Sequence, residues 1–356
     1  MQMPMEGGGG SAGGARSGPV VDLHCHWRHD PVMDRMREEA DRLGKISLNI
    51  GSDLTREVNR RQMQEIKPQM ESVDRRLEDM DRMGVDIQAV AHFPPQMYYW
   101  ASPEVAETVF PELNDGLAGV VASRPDRFLG MGNVPLQSTE LAISELRRCR
   151  DDLGFGGVQV ATRVENEELS ADRLEPFWTE VERSGTVVVI HSNGHDNVSR
   201  LGHHYMINTF GHPMEATLAA GHLIFDGVME RHPDLKIVLV HGGGYLPAYS
   251  ARMDHAYRTR EDVRENLPRL PSEYLSMFYL DTVVFAEDQL AYLIEKYGAD
   301  RIVIGTDYPF DMGDTDPIGL VRRTIGDDPA GLRAITVDNP ARLFGERLAG
   351  WKEMAR

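Results

Sequence analysis

Eight short apolar runs punctuate this chain, and each is followed by a loop and a stretch with helical patterning. They are Val20–His26, Ile87–Phe93, Phe128–Val134, Gly157–Ala161, Val187–His191, Ile237–His241, Phe278–Val284 and Ile302–Asp307. Runs such as Val187-Val-Val-Ile190 barely alternate between apolar and polar residues, as parallel strands covered on both faces do. Between the runs lie amphipathic segments such as Glu140–Asp152, Leu174–Ser184, Met214–His232 and Asp288–Tyr297. Eight strand–helix units in succession predict an α/β fold, a closed (β/α)8 TIM-like barrel, over a doubly wound sheet. No Gly-x-Gly-x-x-Gly turn follows the first run, which weighs against a dinucleotide fold.

One barrel is expected over residues 19–350, since α/β barrels commonly run to this length as a single domain. Ahead of it, residues 1–18 contain the stretches Gly7–Gly10 and Gly13-Gly14 and read as a disordered tail, too polar and flexible to pack. Two connections exceed the usual few residues. One covers about residues 27–72 after strand 1, with helical pieces around Met33–Leu43 and Arg56–Ile66; the other covers about residues 192–211 after strand 5. Both leave the C-terminal ends of strands, where barrels build active sites, so both read as lids or substrate loops.

The histidines and one aspartate fall at those same ends. His24 and His26 close strand 1 as His-x-His, and alternate residues of a strand share a face. His191 closes strand 5, His241 strand 6 and Asp307 strand 8. Each alone would read as an ordinary structural residue; together they converge once the barrel closes. Imidazole and carboxylate donors suit one divalent ion, Zn²⁺ first, with Mn²⁺, Fe²⁺ or Co²⁺ as alternatives. Among other histidines, His92 lies near the rim and His195 sits on the second long connection within reach of substrate. His212 either faces the site or starts a helix, and His232 reads as a surface residue.

Composition narrows the partners. With 38 Lys+Arg against 56 Asp+Glu the formal charge is −18, which disfavours nucleic acid and anionic membranes. No apolar run reaches the ~20 residues a membrane span requires, and the N-terminus lacks an apolar signal core. Two cysteines, Cys25 and Cys149, make no disulfide framework, so a reducing cytoplasm is expected.

Between about residues 20 and 347 the chain resembles the amidohydrolase superfamily, in the branch of aminocarboxymuconate-semialdehyde, γ-resorcylate and carboxyvanillate decarboxylases. The resemblance rests on Asp22-Leu-His-Cys-His26, Tyr99-Trp100-Ala-Ser-Pro103, Gly211-His-Pro-Met-Glu215, Leu223–Arg231, His241-Gly-Gly-Gly244 and Gly305-Thr-Asp-Tyr-Pro-Phe310, with the turn at Gly313. It implies that His24, His26, His191 and Asp307 hold the metal, and that His241 deprotonates water or protonates substrate. Two-metal amidohydrolases carry a carboxylated bridging lysine on strand 4, and Gly157-Val-Gln-Val-Ala161 has none, so the resemblance implies one metal over two. It implies that Arg252 binds a substrate carboxylate from a neighbouring subunit, hence a homodimer. Trp100 belongs to a matching aromatic stretch near the site and reads equally as core packing. Glu215 is either a partner that supports the site or a helix cap. Three departures blur the substrate. The strand-1 loop arginine of the aminocarboxymuconate enzymes is not reproduced in Ile46–Arg61, although Arg56, Arg60 or Arg61 could substitute. Their Pro-Trp-Asp after the strand-5 histidine is replaced by Ser192-Asn-Gly-His-Asp196, and the Met of their Gly-Met-Pro by His212.

The expected function is therefore an O2-independent decarboxylase of a small aromatic or muconate-like carboxylic acid, using the ion, His241 and Asp307, with no organic cofactor. A hydrolase of an amide or lactone, or a hydratase, shares the same metal ligands and is the first rival. A barrel retained only for binding is the second, and it sits poorly with a complete set of five metal and acid/base residues.

Overall fold

The computed structural model describes residues 18–42, 51–194 and 198–348. All but Gly18 of the expected tail lies outside them, as does His195. Eight parallel strands form one sheet in sequential order: β1 (Val21–Trp27), β2 (Ile87–His92), β3 (Phe128–Asn133), β4 (Gly157–Ala161), β5 (Val187–His191), β6 (Lys236–Leu239), β7 (Tyr279–Asp281) and β8 (Ile302–Val303). Parallel bridges Asp22–Ile304 and Cys25–Tyr308 join the last strand and its continuation to the first. Leu23 N–H donates to Ile304 O (2.9 Å) and His26 N–H to Tyr308 O (2.8 Å) across that seam, so the barrel closes.

Strand faces alternate as packing requires. On β5, Val187 and Val189 join Ile87, Ala89, Met131, Val238 and Val303 in an interior cluster, floored by Leu343, Phe344 and Leu348. Val188 and Ile190 point outward into the larger core under the helices. His191 thus continues the inward row of Val187 and Val189 and emerges at the open rim.

Strand β1 breaks the rule once. Asp22 pairs with Gln88 but Cys25 with Val90, so β1 carries one extra residue between these pairs. Val21 and Leu23 face the barrel interior, whereas Cys25 packs outside with Trp27. The inserted residue moves the inward face from odd to even positions, which is what aims both His24 and His26 inward.

Strands 6, 7 and 8 end sooner than the apolar runs suggest. His241 (φ 55°) and Asp307 (φ 54°) adopt left-handed backbone conformations that no ladder tolerates, so they follow the strands on turns. The first long connection contains helices Asp30–Arg42, Asp53–Glu65 and Lys67–Glu71; the second holds a short helix, Val198–Leu201, and a wide turn, Ile207–Gly211. Arg76, fully buried, ties the first connection to the barrel by donating to Gln69 O, His26 O and Gln88 Oε1. Its guanidinium also lies 4.8 Å over the Tyr308 ring. Among the described residues, no helix is long and apolar enough to cross a membrane.

Candidate active site

The ends of β1 and β5 and the turn after β8 bring His24, His26, His191 and Asp307 together, each buried, with one donor atom apiece inside a 4.8 Å cluster. Asp307 Oδ1 lies 3.2 Å from His24 Nε2, 3.1 Å from His26 Nε2 and 3.9 Å from His191 Nε2. Donors bonded at ~2.1 Å to one tetrahedral ion would stand ~3.4 Å apart, so the spacing suits a shared cation.

The far ring nitrogens decide which face is available. His26 Nδ1 points at His92 O (3.3 Å) and His191 Nδ1 at Ser192 O (2.7 Å); a carbonyl only accepts, so both Nδ1 atoms carry the proton. His24 Nδ1 faces the Asp281 carboxylate at 2.6 Å. All three Nε2 atoms then face the centre; those of His24 and His191 are buried without a hydrogen-bond partner, and that of His26 lies 3.1 Å from Asp307 Oδ1. Three ring nitrogens and a carboxylate aimed at one point call for a positive charge, which a bound metal ion would supply or, without one, a proton on His24 Nε2. Burial alone would lower the His24 pKa, but Asp307 and Asp281 outweigh it and raise it to about 10. Asp307 stays well below the usual carboxylate range: burial opposes ionisation, but His24 and the neighbouring rings more than offset it.

His241 stands beside this cluster, its Nε2 3.8 Å from Asp307 Oδ2 and its ring centroid 5.1 Å from that of His24. With Asp307 it borders a cavity of about 610 Å³ walled by Val283, Val284, Phe285, Leu293, Tyr245 and Met312. A largely apolar cavity that ends at an imidazole and a candidate cation site has the character of a pocket for a small, flat organic molecule.

The remaining sequence candidates divide. His212 both opens the helix His212–Phe225 and approaches the site, its ring 6.4 Å from His191 and 6.2 Å from His241. Trp100 and Glu215 line a separate, more polar cavity of about 190 Å³ with Thr162, Arg163 and Asn193. There Trp100 meets Tyr98 edge-on, while Glu215 accepts from Thr162 Oγ1 (3.0 Å) just past β4 and lies 3.6 Å from Arg163 Nε. Arg252 is exposed on the outer helix Leu246–Thr259 and lines a groove with Phe225, Tyr249 and Asp262, away from the His241 cavity. Arg56, Arg60 and Arg61 do not line that cavity either: Arg56 and Arg60 pair with Asp53 and Glu57 on their own helix, and Arg61 lies 3.9 Å from Glu65. His232, read from sequence as a surface residue, is buried between Glu175 and Glu182, each 3.0 Å away.

Sequence reasoning missed Asp281. The available signal was a lone carboxylate inside the seventh apolar run, directly after Tyr279-Leu280. Phe310 was also missed as an individual residue; its ring lies 5.3 Å from that of His26.

The amidohydrolase family model matches residues 21–345. The chain belongs to the amidohydrolase family. Among curated relatives of this amidohydrolase, the 2-amino-3-carboxymuconate-6-semialdehyde decarboxylase of Dictyostelium discoideum is 36% identical over 70% of this chain and 69% of its own length. The γ-resorcylate decarboxylase of Rhodococcus jostii is 31% identical over 67% of this chain and 77% of its own. In structure, it is similar to a 2,6-dihydroxybenzoate decarboxylase complexed with 2,6-dihydroxybenzoate, with TM-score 0.77, 27% identity, and coverage of 92% and 98% of the two chains. It is also similar to a dihydroxybenzoic acid decarboxylase from Polaromonas sp. JS666 with bound manganese and 2-nitroresorcinol, with TM-score 0.76, 25% identity, and coverage of 92% and 97%.

Proposed function

We propose that this amidohydrolase is a metal-dependent, O2-independent carboxy-lyase acting on a small aromatic or muconate-like carboxylic acid. The observation that carries the reading is the convergence of three Nε2 atoms and Asp307 beside His241, at the end of a largely apolar cavity. The named decarboxylases among its relatives and structural neighbours support it.

His24, His26, His191 and Asp307 would hold one divalent ion. Its donor set suits Zn²⁺, and Mn²⁺ is the alternative favoured by the manganese in the Polaromonas neighbour, with Fe²⁺ and Co²⁺ also compatible. When bound, the ion supplies a Lewis-acid charge that polarises a substrate oxygen. The apolar walls hold the ring and exclude water from it. As the bond from ring carbon to carboxylate breaks and CO₂ leaves, the electron pair stays on the ring carbon, and His241 Nε2 delivers the proton that takes the lost group's place. No organic cofactor is needed. His212, at the start of the helix His212–Phe225 and near both His191 and His241, contacts substrate, while Trp100 and Glu215 shape the adjoining polar cavity. The segments at about 27–72 and 192–211 serve as lids.

Arg252 serves the same reaction from across a homodimer. Exposed Phe210, Met214 and Leu218, spaced four apart, and Tyr249 beside Arg252 in the same groove support an apolar docking face. Two buried free cysteines are compatible with the cytoplasm as its location.

The test is a metal-supplemented, anaerobic screen of aromatic and dienoic carboxylic acids, reading CO₂ and loss of ultraviolet absorbance. Turnover of an ester, lactone or amide with no acid losing CO₂ would replace this reading with a hydrolase.

A further inference from the structure

Asp281 is fully buried at the last position of β7, and its two oxygens face different parts of the site. Oδ2 meets His24 Nδ1 at 2.6 Å. Oδ1 accepts from Gly242 N–H (2.8 Å), immediately after His241, and from Val283 N–H (3.2 Å). The His241 ring offers no comparable anchor, because its Nδ1 is buried without a partner. Its left-handed backbone is instead set by the turn, where Gly243 N–H bonds Val240 O and Gly244 N–H bonds His241 O. The Gly242 bond to Asp281 fastens that turn to the barrel.

Gly305 keeps the space in which this happens. A Cβ at Gly305 would fall 2.8 Å from Asp281 Oδ2 and 2.9 Å from Asp281 Cβ, closer than packed atoms allow, and a tight 3.0 Å from His24 Cβ. The contact between Asp281 and His24 therefore needs a residue without a side chain on the neighbouring strand extension.

We propose that Asp281 is a positioning residue with two separable duties: Oδ2 fixes the His24 tautomer that presents Nε2 to the ion, and Oδ1 holds the turn that places His241. The proposal rests on the metal-site reading above. An asparagine at 281 can keep its carbonyl oxygen on Gly242 and Val283 while offering an N–H₂ to His24 Nδ1. His24 must then accept at Nδ1 and carry its proton on Nε2, the wrong face for a metal. Alanine removes both duties.

The experiment measures Mn²⁺ and Co²⁺ dissociation constants by competition with a chelator, together with turnover at saturating metal and apo-protein melting. Wild type is measured first; if it binds no ion, the metal-site reading fails. Asp281→Asn should fold and lose roughly 10–100-fold in metal affinity, with kcat largely restored at saturating metal. Asp281→Ala should lose affinity and also keep a kcat deficit that metal does not repair. Gly305→Ala, which alters no charge, should reproduce the affinity loss if Asp281→Ala does not fold. A folded Asp281→Asn that binds metal within about twofold of a metal-binding wild type would overturn the proposal while leaving the site reading intact.

Discussion

His241 Nε2 stands 3.8 Å from Asp307 Oδ2, and both residues hold the left-handed backbone conformation that non-glycine residues seldom adopt. Such strain costs of order 1–3 kcal/mol per residue and persists where the surrounding structure enforces it. The gain is geometric: each side chain leaves its strand end and turns into the mouth of the barrel. In the proposed reaction the pair joins two duties in one place, Asp307 toward the ion and His241 toward the substrate.

Those duties should separate by mutation. His241→Ala should retain bound metal and lose kcat by roughly 10²–10⁴-fold, the usual worth of a proton-transfer group. Asp307→Ala should release the metal itself. Metal content by elemental analysis, beside steady-state rates, checks both; metal loss in His241→Ala would make it a ligand instead.

The metal-free protein should show a specific pH dependence. The folded pKa of His24, raised to about 10, exceeds its unfolded value near 6.5, so the native state binds the proton more tightly. Its stabilisation is complete below about pH 6.5 and lost as pH rises through about 10. Melting temperatures of chelator-treated protein should fall across that window, and a divalent ion should flatten the fall. An unchanged slope on adding metal counts against a shared charge site.

The apolar cavity wall should govern substrate affinity without touching the ion. Val284→Asp places a carboxylate on that wall, where it repels an acidic substrate and disfavours a ring. Losing about 1.4 kcal/mol of binding raises KM roughly tenfold. An unchanged KM, with metal content and melting also unchanged, would move the substrate elsewhere.

Mixing two inactive variants tests the shared-site dimer. In a randomly reassociated mixture of His241→Ala and Arg252→Ala, half the dimers are mixed and each has one intact site. About a quarter of wild-type activity should return if Arg252 serves its partner. No recovery after verified subunit exchange would confine Arg252 to its own chain or remove it from the reaction. Leu218→Glu, on the exposed apolar face, should shift the protein toward monomer in light scattering.

The barrel and its metal cluster were legible in the chain because both follow from periodic local rules. Apolar runs spaced by amphipathic segments specify parallel strands and crossover helices, and His191, His241 and Asp307 fall where those runs stop. Other features arise only between distant segments. The extra residue in β1 swaps which of Leu23, His24 and Cys25 face inward, and it is defined by pairing with β2. Asp281 gains its role from His24 and Gly242, brought beside it by barrel closure. Arg252 lies off the rim because helix packing turns it outward. Sequence by itself determined the repeat, the residue types at the rim and the family, since these depend on local order. The tertiary structure alone decided which nitrogens face the centre and which groups hold them, because hydrogen-bond partners far apart in sequence meet only after the barrel has closed.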